Sequence, residues 1–304
     1  MRFSIFQESR KGTRKANQDR TSYAYTRDAL LMVVADGMGG HLHGEVASQI
    51  AVQLLTEAFQ REAKPTLPDP GEFLQRTILD AHFALGDYAK ARNLIESPRT
   101  TCVACVVQNA MAYWAHAGDS RLYHVREGRI QAQTRDHSRV QMLVDQGRVR
   151  EEAVQAHPDR NKIFNCVGAS ARPQVEMSAP TPLRSDDTMI LCSDGLWGPL
   201  TGKLFMASLM RHHDIMKALP ELLDLAELRA GPECDNLSVV AMTWAGTQVH
   251  VGGEVSTQTL ALDGVSTQLG VFSKADNSDL TDAEIERAIQ EIRDAIRKHT
   301  THKP

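Results

Sequence analysis

The sequence predicts an α+β protein in which helices pack on antiparallel sheet. Three features predict it. Short apolar, β-branched runs recur up to Met242, their junctions read as hairpins rather than strict β-α-β alternation, and two long amphipathic helices flank a loop rich in proline (Pro65, Pro68, Pro70). A doubly wound parallel sheet, which needs a helical crossover between strands, fits less well.

The strand candidates, in order, are Phe3–Ser9, Thr21–Thr26, Leu30–Ala35, Thr101–Gln108, Met111–Ala117, Leu122–Val125, Met189–Cys192 and Leu237–Met242, with a hairpin turn at Arg126-Glu-Gly-Arg129. Helical spacing of Val46, Ile50, Leu54, Leu55 and Ala58 predicts a helix over Glu45–Phe59. Leu74, Ile78, Ala81, Leu85 and Tyr88 predict a second. Each has one apolar face to bury. Asp136 or Ser138 is placed to cap a short helix through Leu143 and Val144 that Gly147 ends, and Glu151–Ala156 begins another turn.

After Met242 the composition shifts to Gly, Ser, Thr, Gln and Val, with VSTQ at Val255–Gln258 and again at Val265–Gln268. A flexible linker over 244–280 is favoured; strands added to a domain edge are the alternative. Thr281-Asp-Ala-Glu284 then forms a capping-box pattern that opens an amphipathic helix over 281–299, striped by Ile285, Ile289, Ile292 and Ile296. The domain proper is expected to span 1–243.

Composition bounds the function. The 304 residues are 42% hydrophobic and 24% charged, with a net charge of −4. That mildly acidic balance gives no electrostatic case for nucleic acid or an anionic membrane. No apolar stretch is long enough to span a bilayer, and MRFSIFQESRKG lacks a signal-peptide core. Five cysteines, an odd number set mostly in apolar runs, suggest reduced, packed thiols and a cytoplasmic protein. A monomer is expected.

Four aspartates stand at the ends of strand-like runs beside a Gly or Asn: Asp36 in LLMVVADG, Asp119 in HAGDSR, Asp194 in LCSDG and Asp235 in CDNLSVV. Asp19, in RKANQDR, is a fifth. Strand ends in layered folds often border one edge, so these carboxylates can converge, and they repel unless a cation neutralises them. An all-oxygen donor set selects Mg²⁺ or Mn²⁺ over Zn²⁺. Arg14, five residues before Asp19, adds a fork that matches phosphate oxygens. Together they suggest a phosphate ester as substrate.

The segments Arg14-Lys-Ala-Asn-Gln-Asp19, Val34-Ala-Asp-Gly-Met-Gly-Gly-His41, Gly118-Asp-Ser-Arg121, Asp136-His-Ser138, His157-Pro-Asp-Arg-Asn161, Leu191-Cys-Ser-Asp-Gly-Leu196 and Asp235-Asn-Leu-Ser-Val239 resemble the metal-dependent serine/threonine protein phosphatases (PPM, type 2C) in their bacterial form. They occur in family order. The resemblance implies an α-β-β-α sandwich of two antiparallel sheets flanked by helices, with the C-terminal extension outside it, and a binuclear Mn²⁺ or Mg²⁺ centre. It implies that Asp36 bridges both ions, that Gly37 offers its carbonyl to the second, that Asp194 and Asp235 hold the first, and that Asp19 anchors the second. Asp119 corresponds to a third, weaker metal site. Arg14 then clamps the substrate phosphate, and a metal-bridging hydroxide hydrolyses phosphoserine or phosphothreonine without a covalent intermediate. Phosphorylated proteins and a cognate serine/threonine kinase are the implied partners.

Two departures from the family wording stand out. Ile163-Phe164-Asn165 replaces the usual Thr and Arg, and Met38 stands where eukaryotic members carry a histidine, which leaves His41 or His157 as candidates for the leaving-group acid. For His41, a backbone bond near a helix start is the stronger reading. Two rivals remain. Cys166-Val-Gly-Ala-Ser-Ala-Arg172 has the C-x5-R spacing of cysteine-dependent phosphatases, though Asn165 and Pro173 break the pattern on either side. The other is a catalytically inactive phosphoprotein-binding regulator, against which stands an acid at every ligand position. Cys102 and Cys105, three apart in a strand, face opposite ways and cannot pair.

Overall fold

The structure is a computed structural model and describes residues 1–38, 43–150, 153–154, 157–245, 254–257, 260 and 264–270. Alternating apolar residues and hairpin turns build two antiparallel sheets that stack face to face. The first comprises β1 (Arg2–Arg10), β7 (Arg121–Arg126), β8 (Arg129–Gln133), β11 (Thr188–Cys192), β12 (Leu237–Trp244) and β13 (Glu254–Ser256), in the order β13-β1-β12-β11-β7-β8. The second runs β10-β6-β5-β3-β2-β14, from β2 (Asp19–Tyr25), β3 (Ala29–Met38), β5 (Cys102–Gln108), β6 (Met111–Ala117), β10 (Thr181–Pro182) and β14 (Ser266–Leu269). Short strands β4 (Arg99–Thr100) and β9 (Glu176–Met177) pair with β3 and β6. All eight expected strands are present.

Period-two alternation sorts each strand between two cores. Leu30, Met32 and Val34 of β3 meet Val240 and Met242 of β12 in the core between the sheets. Leu31, Val33 and Ala35 face the other way, onto α1 (Gly44–Glu62) and α2 (Pro70–Ala91). Cys102 and Cys105 fall in these two different cores, on opposite faces as expected. A third core packs β11 and β12 against α4 (Asp194–Trp197), α5 (Gly202–Leu209) and α6 (Ile215–Ala230). The layers are therefore helix, sheet, sheet, helix, and both sheets are open.

Two differences from the sequence reading have simple causes. Around the VSTQ segments, where a linker is favoured and edge strands are the alternative, Glu254–Ser256 and Ser266–Leu269 take the alternative: β13 pairs with β1 and β14 with β2. Unpaired edge backbone on β1 and β2 is satisfied by these two short strands. The second helical layer is absent from the expected elements, although Ile215, Ala218, Leu219, Leu222, Leu223 and Ala226 are all buried at helical spacing in α6. Pro220 inside that stretch masks the pattern. The expected terminal helix over 281–299 lies outside the described residues.

The short capped helix is α3 (Arg139–Asp145). Ser138, not Asp136, is its N-cap, its Oγ accepting from Gln141 N at 3.2 Å, and Gly147 takes the positive φ of +67° that ends it.

Candidate active site

Antiparallel register sets the first two acids opposite each other: Asp19 at the start of β2 pairs with Asp36 near the end of β3. Asp194 is the first residue of α4, where the chain turns out of β11, and Asp235 precedes β12. Asp119 sits in the turn between β6 and β7. Each acid thus stands at or beside one end of a strand, and the sheets bring these ends to one edge.

The electrostatics show that they meet. Burial pushes the Asp36 carboxyl well above the usual carboxylate range, and the charges of Asp19, Asp194, Asp119 and Asp235 push it further. Burial lifts Asp19 to about 6, against hydrogen bonds from Ser193 and Ser238 that favour its anion. Asp194 rises to about 7, through burial and then the charges of Asp235 and Asp19. Asp119 also rises well above normal, through burial and then Asp194. Five mutually repelling acids in one pocket cost free energy that an opposite charge would remove.

Two buried oxygens, Asp19 Oδ1 and Asp119 Oδ1, have no hydrogen-bond partner among the described residues. Native proteins rarely leave such atoms orphaned. A hard divalent cation fits this donor set, which is all oxygen and anionic. Gly37 is demanded by space, because a Cβ there would lie 2.1 Å from Gly44 O and 2.7 Å from Gln18 O.

Arg14 lies at the cleft mouth with Asp119, Asp194, Trp197 and Asp235, around a cavity of about 760 Å³. Its fork is engaged by Asp235: Nε donates to Oδ1 and Nη2 to Oδ2, both at 2.7 Å. The guanidinium is more than half exposed, so the pair is solvated and separable. Asn236 fixes the loop that carries it, donating from Nδ2 to Lys11 O and Ala16 O and accepting from Gln18 N.

Several supporting residues had no assigned role in the sequence reading. Ser193 Oγ donates to Asp19 Oδ2 at 2.7 Å. Arg121 clamps Asp136 through two bonds of 2.8 and 2.7 Å and lies 3.4 Å over the Trp197 ring, whose Nε1 donates to Asp119 O. All but Trp197, which follows one directly, lie inside quoted motifs, but only the fold pairs them. Asn165, one of the departures, donates from Nδ2 to His137 Nδ1 and Gln174 O and accepts from Gln174 N, tying the end of the 136–168 segment to its start. His157 Nδ1 accepts from Asp159 N, and His41 lies outside the described residues.

His116, His137 and Glu176 form a second group with metal-ligand atoms within 4.8 Å of one another. Donor counting argues against a cation there. His137 Nδ1 accepts from Gly118 N and Asn165 Nδ2, so Nε2 carries the proton toward Glu176. The two rings also stack nearly parallel at 4.6 Å, which keeps their in-plane lone pairs from converging. The Cys166 site fares no better: the thiol is buried, and burial raises its pKa, the reverse of an activated nucleophile.

Residues 7–224 match the family described as Protein phosphatase 2C. The chain is 33% identical to the serine/threonine phosphatase stp of Listeria innocua over 193 residues, 63% of this chain and 76% of that protein. It is 32% identical to the serine/threonine protein phosphatase PstP of Mycobacterium tuberculosis over 259 residues, 82% of this chain but 47% of PstP. The crystal structure of PstP/Ppp from M. tuberculosis superposes with a TM-score of 0.70 at 31% identity, covering 81% of this chain and all of that one. The catalytic domain of PstP in complex with two manganese ions gives 0.66 at 29%, covering 79% and 98%. With sheet order, acid placement and these likenesses in agreement, the chain belongs to the protein phosphatase 2C family.

Proposed function

We propose that the chain is a metal-dependent phosphoprotein phosphatase, a hydrolase acting on phosphoserine and phosphothreonine and opposing a serine/threonine kinase. The observation that carries the reading is the set of aspartates, delivered by separate strand ends, that raise one another's pKa in a single cleft. Asp36, Gly37, Asp194, Asp235 and Asp19 are the proposed holders of two Mn²⁺ or Mg²⁺ ions, and Asp119 of a third. When bound, such ions neutralise the acids, polarise the phosphoryl group and supply a water whose pKa falls to about 7.

The chain's own groups do the positioning. Ser193 fixes one oxygen of Asp19, and Trp197 holds the Asp119 backbone. Arg14, exposed and bidentate, exchanges Asp235 for two phosphate oxygens when substrate enters. His41 and His157 stand as the two candidates for proton donor to the leaving serine or threonine. The described residues contain no helix long and apolar enough to cross a membrane, and all five cysteines are free. A cytoplasmic monomer is the proposed setting.

The test is single-turnover hydrolysis of a phosphothreonine peptide by the full chain. EDTA should abolish it, Mn²⁺ should restore it, and thiol alkylation should leave it unchanged. Turnover that survives thorough demetallation would sink the proposal, and loss on alkylating Cys166 would favour the cysteine mechanism. Phosphopeptide binding without turnover at saturating Mn²⁺ would mark a binding regulator.

A further inference from the structure

A groove of about 1000 Å³ runs between the outward faces of α1 and α2 and shares no lining residue with the acid cleft. Leu54, Ala58, Ala84 and Leu94 line it, and Phe83 and Ile95 stand half and fully exposed beside them. Apolar side chains gathered in one groove favour an occupant. We propose that the occupant is this chain's own segment 281–299, docked as a third helix against α1 and α2.

The path of the chain supports that occupant. β14 pairs with β2, and Thr267 Oγ1 accepts from Gln60 Nε2 of α1, so the last described strand lies along one flank of α1. Glu57 and Arg61, three residues before and one after Gln60, line the groove about 60° and 100° round the helix from it. Gly270 N donates to Thr21 O, which fixes where the chain leaves the sheet. From there ten residues, 271–280, reach up to about 33 Å, whereas crossing one helix takes roughly 10–12 Å.

Length and patterning match as well. The segment 281–299 lies outside the described residues, but its isoleucines at 285, 289, 292 and 296 define a stripe that covers about 16 Å of helix. The α2 wall of the groove, from Arg76 to Lys90, is about 21 Å long by the same rise. A helix with one apolar face and a polar remainder needs such a wall. The inference does not depend on the catalytic reading.

Cysteine trapping in the full chain tests it. Gly86 lines the groove, and a Cβ built there meets nothing within 4 Å, so Gly86→Cys is tolerated. Paired with Ile285→Cys, Ile289→Cys, Ile292→Cys or Ile296→Cys, it should give an intramolecular cross-link with a short bismaleimide. Asp294→Cys, on the opposite face of the same helix, should give at least five-fold less. Equal yields from both faces, no cross-link, or cross-links only between chains would overturn the proposal, the last by making another copy the occupant. In a second measurement, hydrogen exchange across 81–95 should quicken several-fold in Ile289→Asp/Ile292→Asp. Unchanged exchange there would also overturn it.

Discussion

Asp19 and Asp36 occupy one rung of the β2–β3 ladder, directly across from each other in register. Like charges at such a rung destabilise a sheet, so the pairing signals a structure completed by something positive. Asp36→Asn should therefore raise the melting temperature of the chelated protein at pH 7.5 by a few degrees and reduce turnover with Mn²⁺ by at least 100-fold. A variant that melts lower in EDTA than the parent would show that the repulsion is not significant.

The same acids set a pH dependence. Their ordinary pKa is 3.8, and in the folded chain Asp19 reaches about 6 and Asp194 about 7. Between those limits the unfolded chain has released protons that the folded one keeps, so their ionisation favours unfolding as pH rises. Asp145 and Asp187, held low by Arg135 and Arg126, act in the opposite sense below that window, and His43, His82 and His116, lowered by burial, oppose the acids only in its upper part, below their ordinary pKa of 6.5. In EDTA the melting temperature should fall from about pH 4 to about pH 7, and Mn²⁺ should recover more at pH 7.5 than at pH 5. Scanning calorimetry with and without metal reads both, and a rising profile in EDTA would contradict the assignment.

Arg14→Ala removes the fork at the cleft mouth but leaves the acids in place. A charge-assisted hydrogen bond to phosphate is worth about 1.5–3 kcal/mol, so KM for a phosphothreonine peptide should rise about ten-fold or more with a smaller change in kcat. Arg14→Lys should recover only part of it. Steady-state kinetics that leave KM untouched would return Arg14 to the surface.

Arg121 and Asp136 form a buried ion pair, 16% and 3% exposed. Asp136→Ala strands the guanidinium over Trp197 and should cost about 3–5 kcal/mol. Denaturant unfolding of Asp136→Leu with Arg121→Met should recover most of that loss. If the double variant is as unstable as the single one, the pair contributes through something other than charge.

Gly37→Ala should be damaging because the added Cβ would meet Gly44 O at 2.1 Å and Gln18 O at 2.7 Å, and both oxygens belong to backbone that cannot step aside cheaply. Loss of Mn²⁺-dependent turnover, with α1 displaced in a crystal structure, is the expected result. Gly86→Ala, with open space around it, is the control.

Much of this could be read along the chain because it depends on near neighbours. Alternation in β3 and β5, the face of α1, the Ser138 cap and the acids at strand ends are local patterns, and local sterics and burial determine them. What stayed hidden were relations between distant residues. Arg14 meets Asp235 across 221 positions, Ser193 meets Asp19 across 174, and the VSTQ segments become strands only because β1 and β2 offer open edges. α6 was readable in principle, yet Pro220 hid its stripe. The sequence by itself determined which residues carry charge and where the backbone turns. Only the stacking of two sheets decided which of those charges share a pocket, because electrostatic coupling depends on separation in space and not along the chain.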